Sequence, residues 1–197
     1  MKLIEQRRVE FSLISLVKEM ARKLIHVASC LAALWLVKNS YFLLELLFLP
    51  VIAVGFYVSE KVEFLGKTLS FGHRRKWGGI LLAVGLSLVM LAPVEYEVKK
   101  FAILVLAIAD VLASIVGKIV PVRRVEVLGA YKSIGGSLAF GIGVIIALSL
   151  VGNLGEIAVW KVVLSLIVLE VAEFLNWRGV DNVTLPIASL ALAWIIF

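Results

Sequence analysis

Residues 101–117 read Phe101-Ala-Ile-Leu-Val-Leu-Ala-Ile-Ala-Asp110-Val-Leu-Ala-Ser-Ile-Val-Gly117, an apolar run with one charge, Asp110, inside it. Extended to residue 120, the run reaches the roughly 20 residues that a helix needs to cross a bilayer. A carboxylate in such a helix costs about 2.5–3.5 kcal/mol on insertion scales, so chains that keep one generally use it. The search for a site therefore starts at Asp110.

Comparable runs occur at 24–37, 41–58, 77–94, 134–151, 157–175 and 183–197. They bring the predicted segments to seven, in a chain of 197 residues that is 62% hydrophobic, with a mean hydropathy of +1.06. An ordinary soluble domain is nearer half apolar. The expectation is an all-α integral membrane protein, one bundle over residues 1–197. Arg22, Lys23 and His26 sit at the mouth of the first run, so its helix is expected to begin in the interface, as early as Phe11. The connections are too short for a separate soluble domain. Lys18, Glu19, Arg22 and Lys23 stand where a cleavable signal has small residues, so no removable targeting peptide is expected. Cys30 is the only cysteine, which excludes an intrachain disulfide and a thiolate metal cluster.

Seven crossings sort the 20 Lys and Arg residues by face: Lys38, Lys99, Lys100 and Lys161 fall on one side and the remainder on the N-terminal side. Such a bias in short connections predicts a cytoplasmic N-terminus. Topology alone accounts for most of the excess, but a cationic face also suits an anionic nucleotide or lipid head groups. Nucleic acid is not an expected partner.

Five polar groups of residues lie toward that face. Glu19, Arg22, Lys23 and His26 share one helical stripe, which would grip a polyphosphate or, alternatively, snorkel to lipid phosphate with Glu19 paired to Lys23. The stretch 71–79 holds Arg74, Arg75 and Lys76 beside Trp77; Arg75 and Lys76 read as a stop-transfer anchor, and Arg74 stays open. Asp110 shares a face with Ala113, Ser114 and Gly117, where small residues allow close approach; the alternative is a pair with a buried cation such as Lys118 of the same helix or one on a neighbour. The stretch 130–137 places Lys132, Ser133, Gly135, Gly136 and Ser137 at a helix start, where unpaired N–H groups and the helix dipole favour phosphate. Tyr131 in place of glycine excludes a Walker A loop, and serine capping with glycine packing is the plainer reading. Glu173, Asp181 and Asn182 offer hard oxygen ligands suited to Mg2+; Asp181 also reads as an N-cap, and Glu170 as packing or pairing rather than catalysis. Cations, a glycine-rich helix start and hard acids around a membrane-embedded cleft suit phosphoryl transfer to a lipid.

These residues resemble the motifs of the polyprenol kinase family, which includes dolichol kinase, phytol kinase and the CTP-dependent diacylglycerol kinases. Glu19-x-x-Arg22-Lys23-x-x-His26 is similar to its opening motif, Asp110-x-x-Ala113-x-x-x-Gly117 to its Gly-Asp-x-x-Ala-x-x-x-Gly, and Lys132-Ser133-x-x-Gly136-Ser137 to its Lys-Ser-x-x-Gly-Ser. Asp181-Asn182-Val-Thr184-Leu-Pro186 looks like the closing Asp-Asn-Leu-Thr-x-Pro, with Glu173 upstream. Ala109 departs from the family glycine. The resemblance implies a Mg2+-dependent kinase that moves the terminal phosphate of a nucleoside triphosphate, usually CTP, to the hydroxyl of a long-chain isoprenoid alcohol among membrane lipids. It implies that Lys132, Ser133, Gly135, Gly136 and Ser137 hold phosphates and that Arg22, Lys23 and Arg74 neutralise charge. Asp110 would bind Mg2+ or accept the hydroxyl proton, with Asp181, Asn182 and Glu173 in the metal shell, and His26 would orient the nucleotide or the acceptor. The alternatives are a CTP-dependent diacylglycerol kinase, a CTP:phosphatidate cytidylyltransferase, whose usual C-terminal signature is absent, and, more distantly, a small transporter.

Overall fold

A computed structural model describes residues 13–61, 78–120, 122–127, 130–152, 154–174 and 179–197. The chain is mostly helical. Among the described residues the helices are α1 (Leu13–Asn39), α2 (Phe42–Lys61), α3 (Gly78–Leu91), α4 (Tyr96–Ile119), α5 (Ile134–Val151), α6 (Val159–Phe174) and α7 (Asp181–Ile196). Among the described residues, three stretches are long and apolar enough to cross a membrane: Glu19–Asn39, Tyr96–Ile119 and Ile134–Val151.

The connection between α4 and α5 departs from an all-α chain. Strand β1 (Arg124–Val127) pairs antiparallel with β2 (Ala130–Ser133), in a register that sets Arg124 opposite Ser133 and Val127 opposite Ala130. β2 runs directly into α5, so half of the 130–137 stretch expected at a helix start is strand.

Helix α4 is the axis of the bundle. It packs against α1, α3, α5 and α7, and the remaining neighbours (α1 on α2, α2 on α3, α3 on α7, α7 on α6, α6 on α5) close most of a ring around it. Phe101, Ala102, Ile103, Val105, Leu106 and Ala109 are accordingly buried. The outer surface is apolar as well: Leu31 and Trp35 on α1, Leu43 and Leu47 on α2, Ile142 on α5, Ile167 on α6 and Trp194 on α7 are exposed. A sheath of that kind suits hydrocarbon and would be a liability in water.

Small residues set the closest approaches. Ala109, Ala113 and Gly117 recur every fourth residue on α4 and face Gly143 and Gly136 of α5. A Cβ on Gly136 would stand 3.1 Å from the Ala113 carbonyl oxygen. Across the bundle, Pro186 has no N–H to bond the Asn182 carbonyl four residues back. That carbonyl instead lies against Gly85 of α3, where an added Cβ would overlap it. Gly85→Ala must push α3 from α7, and overpacking of this sort costs about 1–3 kcal/mol. The expected result is a lower unfolding temperature in detergent, with Ser87→Ala, two residues along α3, unchanged or nearly so.

Candidate active site

Asp110 follows a π-helical turn, Val105–Ala109, in α4. There the Asp110 N–H bonds the Val105 carbonyl, five residues back, and passes over Leu106. The Leu106 carbonyl lies 3.1 Å from His26 Nε2; a carbonyl only accepts, so Nε2 carries the hydrogen. Widened turns of this kind recur at functional sites because they release a backbone group and re-aim a side chain. Ala109, where the resemblance calls for glycine, is accommodated by Gly143: a Cβ there would stand 2.9 Å from the Ala109 Cβ.

The α1 stripe meets Asp110 from the side. Lys23 Nζ donates to Asp110 Oδ2 at 2.5 Å and lies 3.3 Å from the Asp110 carbonyl oxygen. His26 Nε2 is 3.6 Å from the same Oδ2. Of the buried cations open to Asp110, on its own helix or a neighbour, the partner is thus Lys23 of neighbouring α1 rather than Lys118. Lys118 reaches Glu19 Oε2 at 2.7 Å, and Glu19 also pairs with Arg22 rather than with Lys23. Lys23 points inward because Asp110 holds it, which leaves Glu19 to the next cation along the stripe. Arg22 Nε is buried and has no hydrogen-bond partner among the described residues.

The start of α5 supplies the next group. Ser133 is the N-cap: its Oγ accepts from the Gly136 N–H at 3.1 Å and lies 3.4 Å from the Gly117 carbonyl oxygen. The Ile134 N–H donates to the Val122 carbonyl at 3.1 Å. Two of the N–H groups expected to cradle phosphate are therefore engaged within the fold, and Gly135 packs on Val120, whose carbonyl oxygen is 2.7 Å from where a Cβ would stand. The capping reading of Ser133 is the observed one. Lys132 forms a close ion pair with Glu173 of α6, so this acid, expected in a metal shell, is engaged by a cation.

Helix α7 adds Asp181 and Asn182, both buried. The N-cap is Val180, so Asp181 does not cap but occupies the first helical turn, where its Oδ1 accepts from the Asn182 N–H at 3.0 Å. Asn182 Nδ2 donates to the Gly78 carbonyl at 3.0 Å, which ties α7 to the start of α3. Asp181 lies within electrostatic reach of Asp110, Lys23, Lys132 and Glu173, and Arg22 within reach of both Asp110 and Asp181.

The fold therefore joins Arg22, Lys23, His26, Asp110, Lys132, Glu173 and Asp181 in one group at one end of the bundle, drawn from α1, α4, β2, α6 and α7. Three cations face three carboxylates, with His26 between Asp110 and the Leu106 carbonyl. Ser137 turns to Glu170 on α6, and Arg74 lies outside the described residues. The sequence reads Glu170 as packing or pairing; its three-residue spacing from Glu173 places the two acids on one face of α6.

Among the described residues no three His, Cys, Asp or Glu side chains are grouped to hold a metal by themselves. The oxygen donors of Asp110, Asp181 and Asn182 fit a hard cation that uses one or two carboxylates and completes its shell with phosphate and water, the usual habit of Mg2+. No family model, curated protein or solved structure matches the chain.

Proposed function

We propose that this protein is a membrane kinase that transfers the terminal phosphate of a nucleoside triphosphate, CTP by resemblance, to the hydroxyl of a long-chain isoprenoid alcohol. On this reading all seven helices cross the bilayer, and the end carrying Asp110 faces the cytoplasm with the N-terminus. The observation that carries the proposal is the buried meeting of Lys23 with Asp110, 2.5 Å apart, beside Asp181 and the Lys132–Glu173 pair. Buried charges in a membrane bundle are expensive, and all the buried charged residues described except Glu45 lie toward one end, where on this reading a soluble polyphosphate and a lipid hydroxyl meet.

In the proposed reaction Lys23, Lys132 and Arg22 bind phosphate oxygens, exchanging their carboxylate partners for the nucleotide. The exchange keeps each cation paired throughout, which a low-dielectric site requires. His26 is fixed by the Leu106 carbonyl and orients the group bound beside Asp110. Mg2+ would be held by Asp110, Asp181 and the Asn182 amide oxygen, and when bound would offset the charge on the transferring and leaving phosphates. Glu173 holds Lys132 in place until the nucleotide binds.

The test is direct. Purified protein supplied with Mg2+ and CTP labelled on its terminal phosphate is expected to label a long-chain isoprenol. Label that reaches a phosphatidate-derived lipid only from the innermost phosphate would replace this reading with a cytidylyltransferase. A panel of isoprenoid alcohols and diacylglycerol then identifies the acceptor.

A further inference from the structure

A second carboxylate lies just beyond this group, in the seam between α5 and α6. Glu170 precedes Glu173 by about 4.5 Å along the α6 axis, on the side away from the bundle end. Its Oε2 is buried and has no hydrogen-bond partner among the described residues. Its carboxylate lies within electrostatic reach of Ser137, Lys132 and Glu173. Oε1 stands 4.0 Å from where a Gly141 Cβ would be, beside Leu166.

The seam has a direction. Ser137, Gly141 and Ile145 recur every fourth residue on α5, and Glu170, Leu166 and Val163 follow one face of α6 away from Glu173. Ile145 and Val163 are exposed, so the seam opens on the outer, apolar surface of the bundle. An acceptor oxygen withdrawn from water with no donor is unfavourable. Here it sits at the inner end of an apolar track that begins at the lipid-facing surface.

We propose that this seam binds the head of a neutral lipid alcohol, whose hydroxyl donates to Glu170 Oε2 while its chain lies over Gly141 and Leu166 toward Ile145 and Val163. The inference rests on the kinase reading and names its acceptor site. Among the described residues nothing is bonded to Glu170 Oε2, and this acceptor suits a donating hydroxyl in preference to a lipid phosphate. Lys132, the proposed phosphate ligand, is bonded to Glu173 and within reach of Glu170, which brings the bound hydroxyl beside the donor nucleotide.

The experiment measures retention of a tritiated long-chain isoprenol by the full chain in nanodiscs, with phosphatidate and phosphatidylethanolamine as competitors and nucleotide binding recorded separately. Glu170→Leu is expected to weaken isoprenol retention at least tenfold and leave Mg2+-CTP binding unchanged. Glu170→Gln, which keeps an acceptor oxygen, is expected to weaken it less. Gly141→Leu is expected to reduce it as well, because a Cβ there makes only ordinary contacts while the longer side chain fills the track. Should Glu170→Leu fail to fold, Gly141→Leu decides. Wild-type retention in both variants, or competition by phosphatidate or phosphatidylethanolamine equal to that of the alcohol, overturns the site. Phosphate transfer is read independently, so the kinase reading can fail while this binding site stands.

Discussion

Lys23→Met is expected to be the most destabilising single substitution in the charged group, and Lys23→Met combined with Asp110→Asn to recover most of the loss. Lys23 is 3% exposed and Asp110 5%, so neither charge has recourse to solvent. Methionine keeps the apolar stem of lysine but removes the ammonium from Asp110 Oδ2 and from the Asp110 carbonyl. Removing one partner of a buried pair costs about 3–5 kcal/mol, because the remaining charge is stranded. His26, 3.6 Å from Oδ2, offsets part of this only by taking up a proton. Asp110→Asn alone leaves Lys23 with an amide oxygen, the Asp110 backbone carbonyl and Asp181 within reach, so its cost is smaller, about 1–3 kcal/mol. The double variant removes both charges. Thermal unfolding in one detergent, analysed as a double-mutant cycle, checks this. A Lys23→Met protein as stable as the parent, or a double variant no better than Lys23→Met, would show that the pair does not bear on stability.

The helices were legible in the sequence because hydrocarbon allows few alternatives: backbone polar groups must be satisfied within the segment, so long apolar runs become helices. The Glu19–His26 stripe and the common end of the motifs followed from spacing and topology. The partner of Asp110 was legible only in kind. A buried cation on the same helix or a neighbour was the alternative, and Lys23 of neighbouring α1 is that cation; which residue meets Asp110 is decided by crossing geometry and by the π turn at Val105–Ala109. One extra residue in that turn rotates everything after it by about a quarter-turn or more, and no apolar pattern records it. The β1–β2 ribbon escaped for a different reason: strands of four residues are too short for alternation to stand out beside apolar helices. Glu170 read as packing or pairing because an acid near a helix end usually serves one or the other. Its meaning comes from Ser137 and Gly141, on a helix that the sequence alone does not place opposite it.

The largest expected effect on turnover is at the two acids, Asp110 and Asp181. Asparagine matches aspartate in shape, and at Asp110 it keeps an oxygen for Lys23, so the fold persists while a formal charge is lost. On the proposed mechanism that charge holds Mg2+ against the nucleotide phosphates, and Asp110→Asn is expected to lower kcat by about two to three orders of magnitude, the scale on which a single transition-state contact acts. Asp181→Asn is expected to follow the same course less steeply, since Asp181 also serves the α7 start through its bond from the Asn182 N–H. The two roles open to Asp110 separate in the Mg2+ dependence of the residual rate. If Asp110 is a metal ligand, the variant needs markedly more Mg2+ for half-maximal rate, and excess Mg2+ restores part of the activity. If it accepts the hydroxyl proton, the Mg2+ requirement stays at the parent value and the residual rate rises with pH, as hydroxide replaces the missing base. Turnover within a few-fold of the parent in a folded Asp110→Asn protein would remove Asp110 from the chemistry and leave it as the counter-ion of Lys23.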